Sequence, residues 1–231
     1  MTPRLAARRT RVAVFGGTGP LGLLLVRELL GRGCDVVALA RDVRRLPTAE
    51  QRLTVVEAQL TDEAAIRGAL TGADAVASAL GPHGRSPGLP IAAGLARIVS
   101  AMDEVGVRRI VQVSTASVHS ERDAPDIRQR LLVAAVRTIW RSAYAEIVEM
   151  AGVLRVSDLD WTLVRVPVLR TSHRAAGPVR VGYPGRDGIG FFVSRESVSA
   201  FMADCVTGAT YVEEAPMICD APRAKEAGHP S

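Results

Sequence analysis

The sequence predicts an α/β protein built on one doubly wound, mainly parallel sheet. Three observations point there. Short β-branched runs alternate with longer helical patterns along the chain. Ala, Val, Leu and Gly dominate, while aromatic residues make up only 4% of 231 residues. A glycine-rich turn joins the first strand pattern to the first helical one. Small apolar side chains allow helices to pack closely on both faces of a buried sheet, a requirement that an antiparallel sandwich does not impose. With 48% apolar residues, residues 1–220 are enough for one domain with a single large core, followed by a flexible polar tail over 221–231.

The elements follow in order. Arg11 to Phe15 is the first strand, Leu21 to Leu30 a helix closed by Gly31-Arg32-Gly33, and Asp35 to Ala40 the second strand. Leu53 to Ala58 is the third strand, and Thr61 is the expected N-cap of the helix behind it, with Asp62 and Glu63 in an acidic first turn. Ala73 to Leu80 is strand four, Leu89 to Val105 a helix ending at Gly106, and Arg109 to Ser114 strand five. A long helical pattern from Asp126 to Val156, bent near Trp140 to Tyr144, leads into strand six at Asp160 to Val166, which Pro167 stops. Over 167–195 glycines and prolines punctuate weak strand signals, as expected of a loop-rich, substrate-capping region. Ser194 to Val206 then reads as a helix and Ala215 to Cys219 as a last strand.

The turn Gly16-Gly17-Thr18-Gly19-Pro20-Leu21-Gly22 carries the first functional information. Gly16 suits turn dihedrals that side chains disfavour, Gly19 allows a pyrophosphate to approach the backbone, and Gly22 allows the helix to pack on the strand. In the first βα unit of a Rossmann-type chain, this spacing points to a dinucleotide held at the helix N-terminus. Strand two ends in Ala40-Arg41 instead of an acid, and Arg44-Arg45 follow. Guanidinium groups suit a ribose 2′-phosphate, so Arg41 with Arg44 or Arg45 favours NADP over NAD.

Composition narrows the remaining classes. Cys34, Cys205 and Cys219 are scattered, with neither a C-x-x-C pair nor a histidine spaced to complete a metal site, so no metal is expected and a reducing compartment fits. The net charge of +5 lies partly in Arg4, Arg8, Arg9 and Arg11 and otherwise in scattered helix positions, without interleaved aromatics, so no nucleic-acid partner is expected. The apolar runs near the N-terminus are split by the glycine turn and end at Arg27-Glu28, short of a spanning helix. The expectation is a cytoplasmic protein with a small-molecule substrate and no membrane partner. The oligomeric state is left open.

With Val14 to Gly19, Ala40-Arg41-Asp42, Ala79-Leu80-Gly81-Pro82 and Val113-Ser114-Thr115 in these places, the chain resembles the atypical short-chain dehydrogenase/reductase superfamily. Within it, the similarity is to the NmrA-like and flavin or biliverdin-IXβ reductase-like branch. Leu154 to Arg165 resembles that branch's L-R-x-S-G-L-D-W-T-I-V-R segment, and Val193 to Val198 its I-S-R-x-D-V helix start. The resemblance implies that Thr18, Gly19, Pro20 and Leu21 hold the pyrophosphate, Arg41 the 2′-phosphate, Gln59 and Leu60 the adenine, and Ala79, Leu80 and Gly81 the nicotinamide ribose. Pro167 is counted with the cofactor-binding residues, in a Val166-Pro167 pair where the branch has Pro-Pro. Ala58-Gln59 replaces the usual Gly-Asp, and Ser197 stands in the place of an aspartate.

The superfamily's Tyr-x-x-x-Lys pair is absent. Lys225 is the chain's one lysine, and Tyr144, Tyr183 and Tyr211 are followed four residues on by Val148, Asp187 and Ala215. Hydride transfer to a flavin, quinone or similar conjugated molecule needs little acid–base help, because the cofactor carries the chemistry. The resemblance would place Ser114 or Thr115 beside the nicotinamide, with Tyr144 as a further candidate donor and His83 and His119 as candidate acids near strands four and five. The alternative is a non-catalytic redox sensor or regulator. An isomerase or dehydratase would need a general base that the sequence does not clearly supply.

Overall fold

A computed structural model describes residues 8–47, 49–82, 90–172 and 175–221. Ten strands and six α-helices are formed among them. The first half repeats the βα unit: β1 (Arg11–Phe15), α1 (Pro20–Gly31), β2 (Asp35–Ala40), β3 (Leu53–Glu57), α2 (Glu63–Leu70), β4 (Ala75–Ser78), α3 (Pro90–Val105) and β5 (Arg109–Thr115). The second half contains α4 (Ile127–Ile139), α5 (Arg141–Arg155), β6 (Asp160–Val166), β7 (Val168–Arg170), β8 (Val179–Gly182), β9 (Phe192–Ser194), α6 (Arg195–Gly208) and β10 (Met217–Asp220).

Eight strands make the main sheet in the order β3-β2-β1-β4-β5-β6-β10-β8. All neighbours are parallel except β10 and β8, which pair antiparallel from Met217 opposite Gly182 to Asp220 opposite Val179. The central strands are buried on both faces, and alternation splits the core into two layers. Val12, Val14, Val36 and Ala38 pack with α1 and α6, while Ala13, Phe15, Val37 and Leu39 pack with α2, α3 and α5. Strand order reverses between β1 and β4, which opens a crevice at their carboxyl ends, where ligands bind in open α/β sheets.

Several local expectations change. The N-cap of α2 is Asp62, whose carboxylate accepts from the Ala65 N–H, and not Thr61; a carboxylate at that position also faces the positive end of the helix. The long helical pattern is two helices, broken at Trp140 (φ −118°, ψ 53°) without any proline or glycine. The bend expected near Trp140 to Tyr144 is thus a full break, at a residue that is itself 58% exposed. Within 167–195 the weak strand signals become β7, β8 and β9: β7 and β9 pair as a separate ribbon, and β8 extends the main sheet. His83, Arg4 and Lys225 lie outside the described residues.

Candidate functional site

The glycine turn is built by contacts that only glycine accommodates at two positions. Gly16 has φ +77°, and a Cβ there would lie 2.9 Å from the Ala79 carbonyl carbon. At Gly22 a Cβ would fall 2.0 Å from the Gly16 oxygen, so the first turn of α1 lies directly on the loop below it. Gly19 differs, because a Cβ there would meet only the Gly16 oxygen, at 3.5 Å. Its bare backbone is the N-cap of α1, with no side-chain cap and no acid in the first turn. Pro20 follows at N1, so this helix end presents its unpaired N–H groups and positive dipole without a protein carboxylate to quench them.

That helix end forms one wall of a cavity of about 560 Å³. Gly19, Pro20, Leu21 and Gly22 line it, as do Ala79, Leu80 and Gly81 from the loop after β4. Ser114 and Thr115, at the carboxyl end of β5, complete the set that the structure brings together. Thr115 Oγ1 accepts from the Ser117 N–H at 3.2 Å and is partly committed to its own turn. Ser114 is buried and its hydroxyl has no hydrogen-bond partner among the described residues. Gly16 shapes the turn from below, and Thr18 sits in it, half-buried, outside the cavity wall.

Other expected residues stand apart. Arg41 is exposed at the end of β2, with no ion pair or hydrogen bond to another described residue. Arg44 is committed: its guanidinium donates to both Asp42 oxygens at 2.9 and 2.8 Å, and this pairing pulls the Asp42 carboxyl down to about 2. Gln59 is exposed, and Leu60 packs against α3 at Gly94, where a Cβ would lie 2.7 Å from Leu60 Cδ1. Pro167 lines a separate small hollow with Gln129 and Leu132. Tyr144 is half-buried on α5 and absent from the cavity wall.

The face that α5 does present to the cavity is Ala143, Ile147 and Met150, at helical spacing, and Trp140 and Val136 continue it. No tyrosine or lysine stands on this stripe among the described residues. The remaining wall contains a single charged side chain among the described residues, Arg195, which donates to Thr171 Oγ1 at 2.7 Å. The cavity is therefore apolar on the α5 side and electropositive near α1 and α6, with no carboxylate among the described residues of its wall. This donor set suits a dinucleotide: backbone N–H groups and a guanidinium for phosphates, and a glycine surface that a Cβ would otherwise obstruct.

Three residues that hold the site together were not singled out from the sequence. Gln112, fully buried on β5, donates from Nε2 to the Leu80 and Val113 carbonyls at 2.8 and 2.6 Å, bridging β4 and β5 where they diverge. Its Oε1 is buried without a partner among the described residues. Glu146, 3% exposed on α5, accepts from the Ile91 and Ala92 N–H groups at 2.6 and 2.7 Å and so caps α3 from another helix. Asp123, in the loop after β5, takes a bidentate pair from the fully buried Arg165 at 2.7 Å, while Arg165 also donates to the Ala215 and Val118 carbonyls. The acidic side chain in the Ala145-Glu146-Ile147 helix stretch was the visible signal for one of them, but its partner lies 54 residues away.

The comparisons with known proteins agree with this geometry. The family model described as NAD(P)H-binding matches residues 16–209. A 3-diazoavenalumate denitrifying reductase from Streptomyces is 31% identical over 173 residues, which are 69% of this chain and 56% of that protein. The chain spans about half the length or less of the curated relatives it matches. Among solved structures, a short-chain dehydrogenase/reductase from Veillonella parvula in complex with NADP superposes with a TM-score of 0.76 at 20% identity, over 92% of this chain and 95% of that one. An anaerobillin reductase from Escherichia coli O157:H7 gives 0.74 at 18% identity, over 94% and 100% of the two chains. The chain belongs to the NAD(P)H-binding family and has the fold of the atypical short-chain dehydrogenases/reductases.

Proposed function

We propose that this chain is an NADP(H)-dependent reductase of a conjugated small molecule such as a flavin or a quinone. One observation carries the reading: a single cavity joins an uncapped, electropositive helix end to an apolar wall, and the β5 side chains Gln112, Ser114 and Thr115 line the gap between them. When bound there, a reduced nicotinamide would supply a hydride. The N-terminus of α1 and Arg195 would neutralise phosphate charge, and Arg41 would take the 2′-phosphate. Ala143, Ile147 and Met150 would exclude water and offer a flat apolar surface to the acceptor ring. Ser114, with its hydroxyl uncommitted, would donate a hydrogen bond to an acceptor oxygen and stabilise the charge that develops as the hydride arrives. Proton delivery would come from solvent, as suits an acceptor whose reduced form is readily protonated in water.

The streptomycete relative and the E. coli structure are both named as reductases, which supports this class of reaction. The test is oxidation of NADPH followed at its nicotinamide absorbance with a panel of flavins and quinones. Turnover with one or more, reduced by Ser114→Ala, is expected. Tight NADPH binding without turnover on any acceptor would reject the reductase reading. It would favour a non-catalytic redox sensor, for which the aliphatic pair Ala143 and Ile147 on the cavity-facing side of α5 is the supporting observation. A sensor would show partner binding that changes between NADP and NADPH.

A further inference from the structure

Helix α4 is apolar on two sides. Leu132, Val133 and Val136 are half-buried toward the protein, yet no residue of the helix is fully buried. On the opposite side Ile127 and Leu131 are 68% and 66% exposed, and Ala134 continues the same ridge at helical spacing. Arg128 lies in the seam on one flank of this ridge, and Arg130 and Arg137 in the other. From Ile127 through Ala145 there are four arginines, counting Arg141, and no acidic residue. Trp140 ends the helix 58% exposed while also lining the cavity. Isolated exposed leucines need no explanation, but an exposed apolar ridge bordered by cations on both flanks is the pattern of a helix lying in a lipid–water interface.

We propose that the outward ridge of α4 docks on an anionic membrane surface, with Ile127 and Leu131 entering the headgroup boundary and Arg128, Arg130 and Arg137 meeting lipid phosphates. Charge selects this occupant over a second copy of the chain, because a two-fold contact through α4 would set arginines against arginines with no acid on either helix. No helix among the described residues is long and apolar enough to cross a membrane. The expectation of no membrane partner rested on that kind of count, and a helix lying flat in the interface escapes it. Val136 and Trp140 line the cavity from the other side of the helix, so the outward ridge is free to dock without covering the cavity wall.

The experiment is co-sedimentation of the full chain with vesicles of phosphatidylcholine alone or mixed with phosphatidylglycerol. Binding is expected only with phosphatidylglycerol present. Arg128→Gln and Arg130→Gln should each weaken it about fivefold. Leu131→Asp should abolish it while leaving NADPH titration and the thermal midpoint as in the parent, since that side chain is exposed. No sedimentation with either vesicle, or equal binding by Leu131→Asp, would overturn the proposal. So would a parent dimer that Leu131→Asp converts to a monomer, which would assign the ridge to a second copy. Binding is read without turnover, so a chain that reduces soluble quinones but ignores vesicles refutes the docking alone.

Discussion

At the scale of single residues, Gly19 and Gly22 of the turn have separable roles. Gly22→Ala would drive a Cβ into the Gly16 carbonyl, a backbone contact that cannot relax cheaply, and is expected to cost about 2–4 kcal/mol of stability together with cofactor binding. Gly19→Ala meets only an ordinary contact, so its stability should change by less than about 0.5 kcal/mol. If the bare backbone there serves phosphate approach, NADPH binding must nonetheless fall. Urea unfolding and NADPH fluorescence titration on both variants separate the two roles, and a Gly19→Ala chain that binds NADPH normally would remove the phosphate from that position. Arg41 and Arg44 read alike in the sequence, but Asp42 occupies Arg44 and leaves Arg41 available. Arg41→Ala should therefore weaken NADPH by about 1.5–3 kcal/mol, roughly tenfold to a hundredfold, while NADH changes little. Equal losses for both cofactors would show that Arg41 does not read the 2′-phosphate.

At the scale of elements, periodicity was sufficient wherever an element owes its existence to local pattern. Strands Arg11–Phe15, Asp35–Ala40 and Asp160–Val166 are found at the bounds their apolar runs predict, because each is a β-branched stretch ended by glycine, arginine or proline. What pattern did not show depends on partners far along the chain. The pattern places a bend near Trp140 to Tyr144 but not the full break that the backbone makes at Trp140. Glu146 looks like any helical acid, yet it is buried against α3, where Pro90 supplies no N–H and Ile91 and Ala92 donate the first two. Glu146→Ala would strand both donors and is expected to cost about 1–3 kcal/mol, whereas Glu146→Gln keeps an acceptor and should recover most of the loss. Denaturant midpoints for the two variants check this. Equal destabilisation would mean that the charge matters at this cap and acceptor geometry does not.

At the scale of the whole molecule, burial sets how the fold responds to alkali. Burial is the leading cause that raises the Cys205 thiol from 9.0 to about 11, and burial followed by the hydrogen bond to Glu214 raises the Tyr183 phenol from 10.0 to about 12. Burial also pushes Cys34 and Tyr211 upward. All four groups hold their protons more tightly in the fold than in the unfolded chain. Above about pH 9 the unfolded chain releases protons that the native state retains, so stability falls as pH rises through the window from 9 to 12. The acid side has the opposite sign. Burial raises Asp220, but its hydrogen bonds from Arg170 and the Ser194 N–H outweigh that and leave it lowered, so its contribution is present above the ordinary carboxylate range and is lost as pH drops below it. Thermal midpoints should accordingly be flat near neutrality and decline steadily above pH 9. Cys205 is on α6 and Tyr183 follows β8, so the two substitutions act on different elements and their effects should add. The double variant Cys205→Ala, Tyr183→Phe should start less stable at pH 8, because a buried sulfur and the Glu214 hydrogen bond are lost, but should decline less steeply between pH 9 and 11. A parallel decline in parent and variant would place the alkaline sensitivity in groups other than these two.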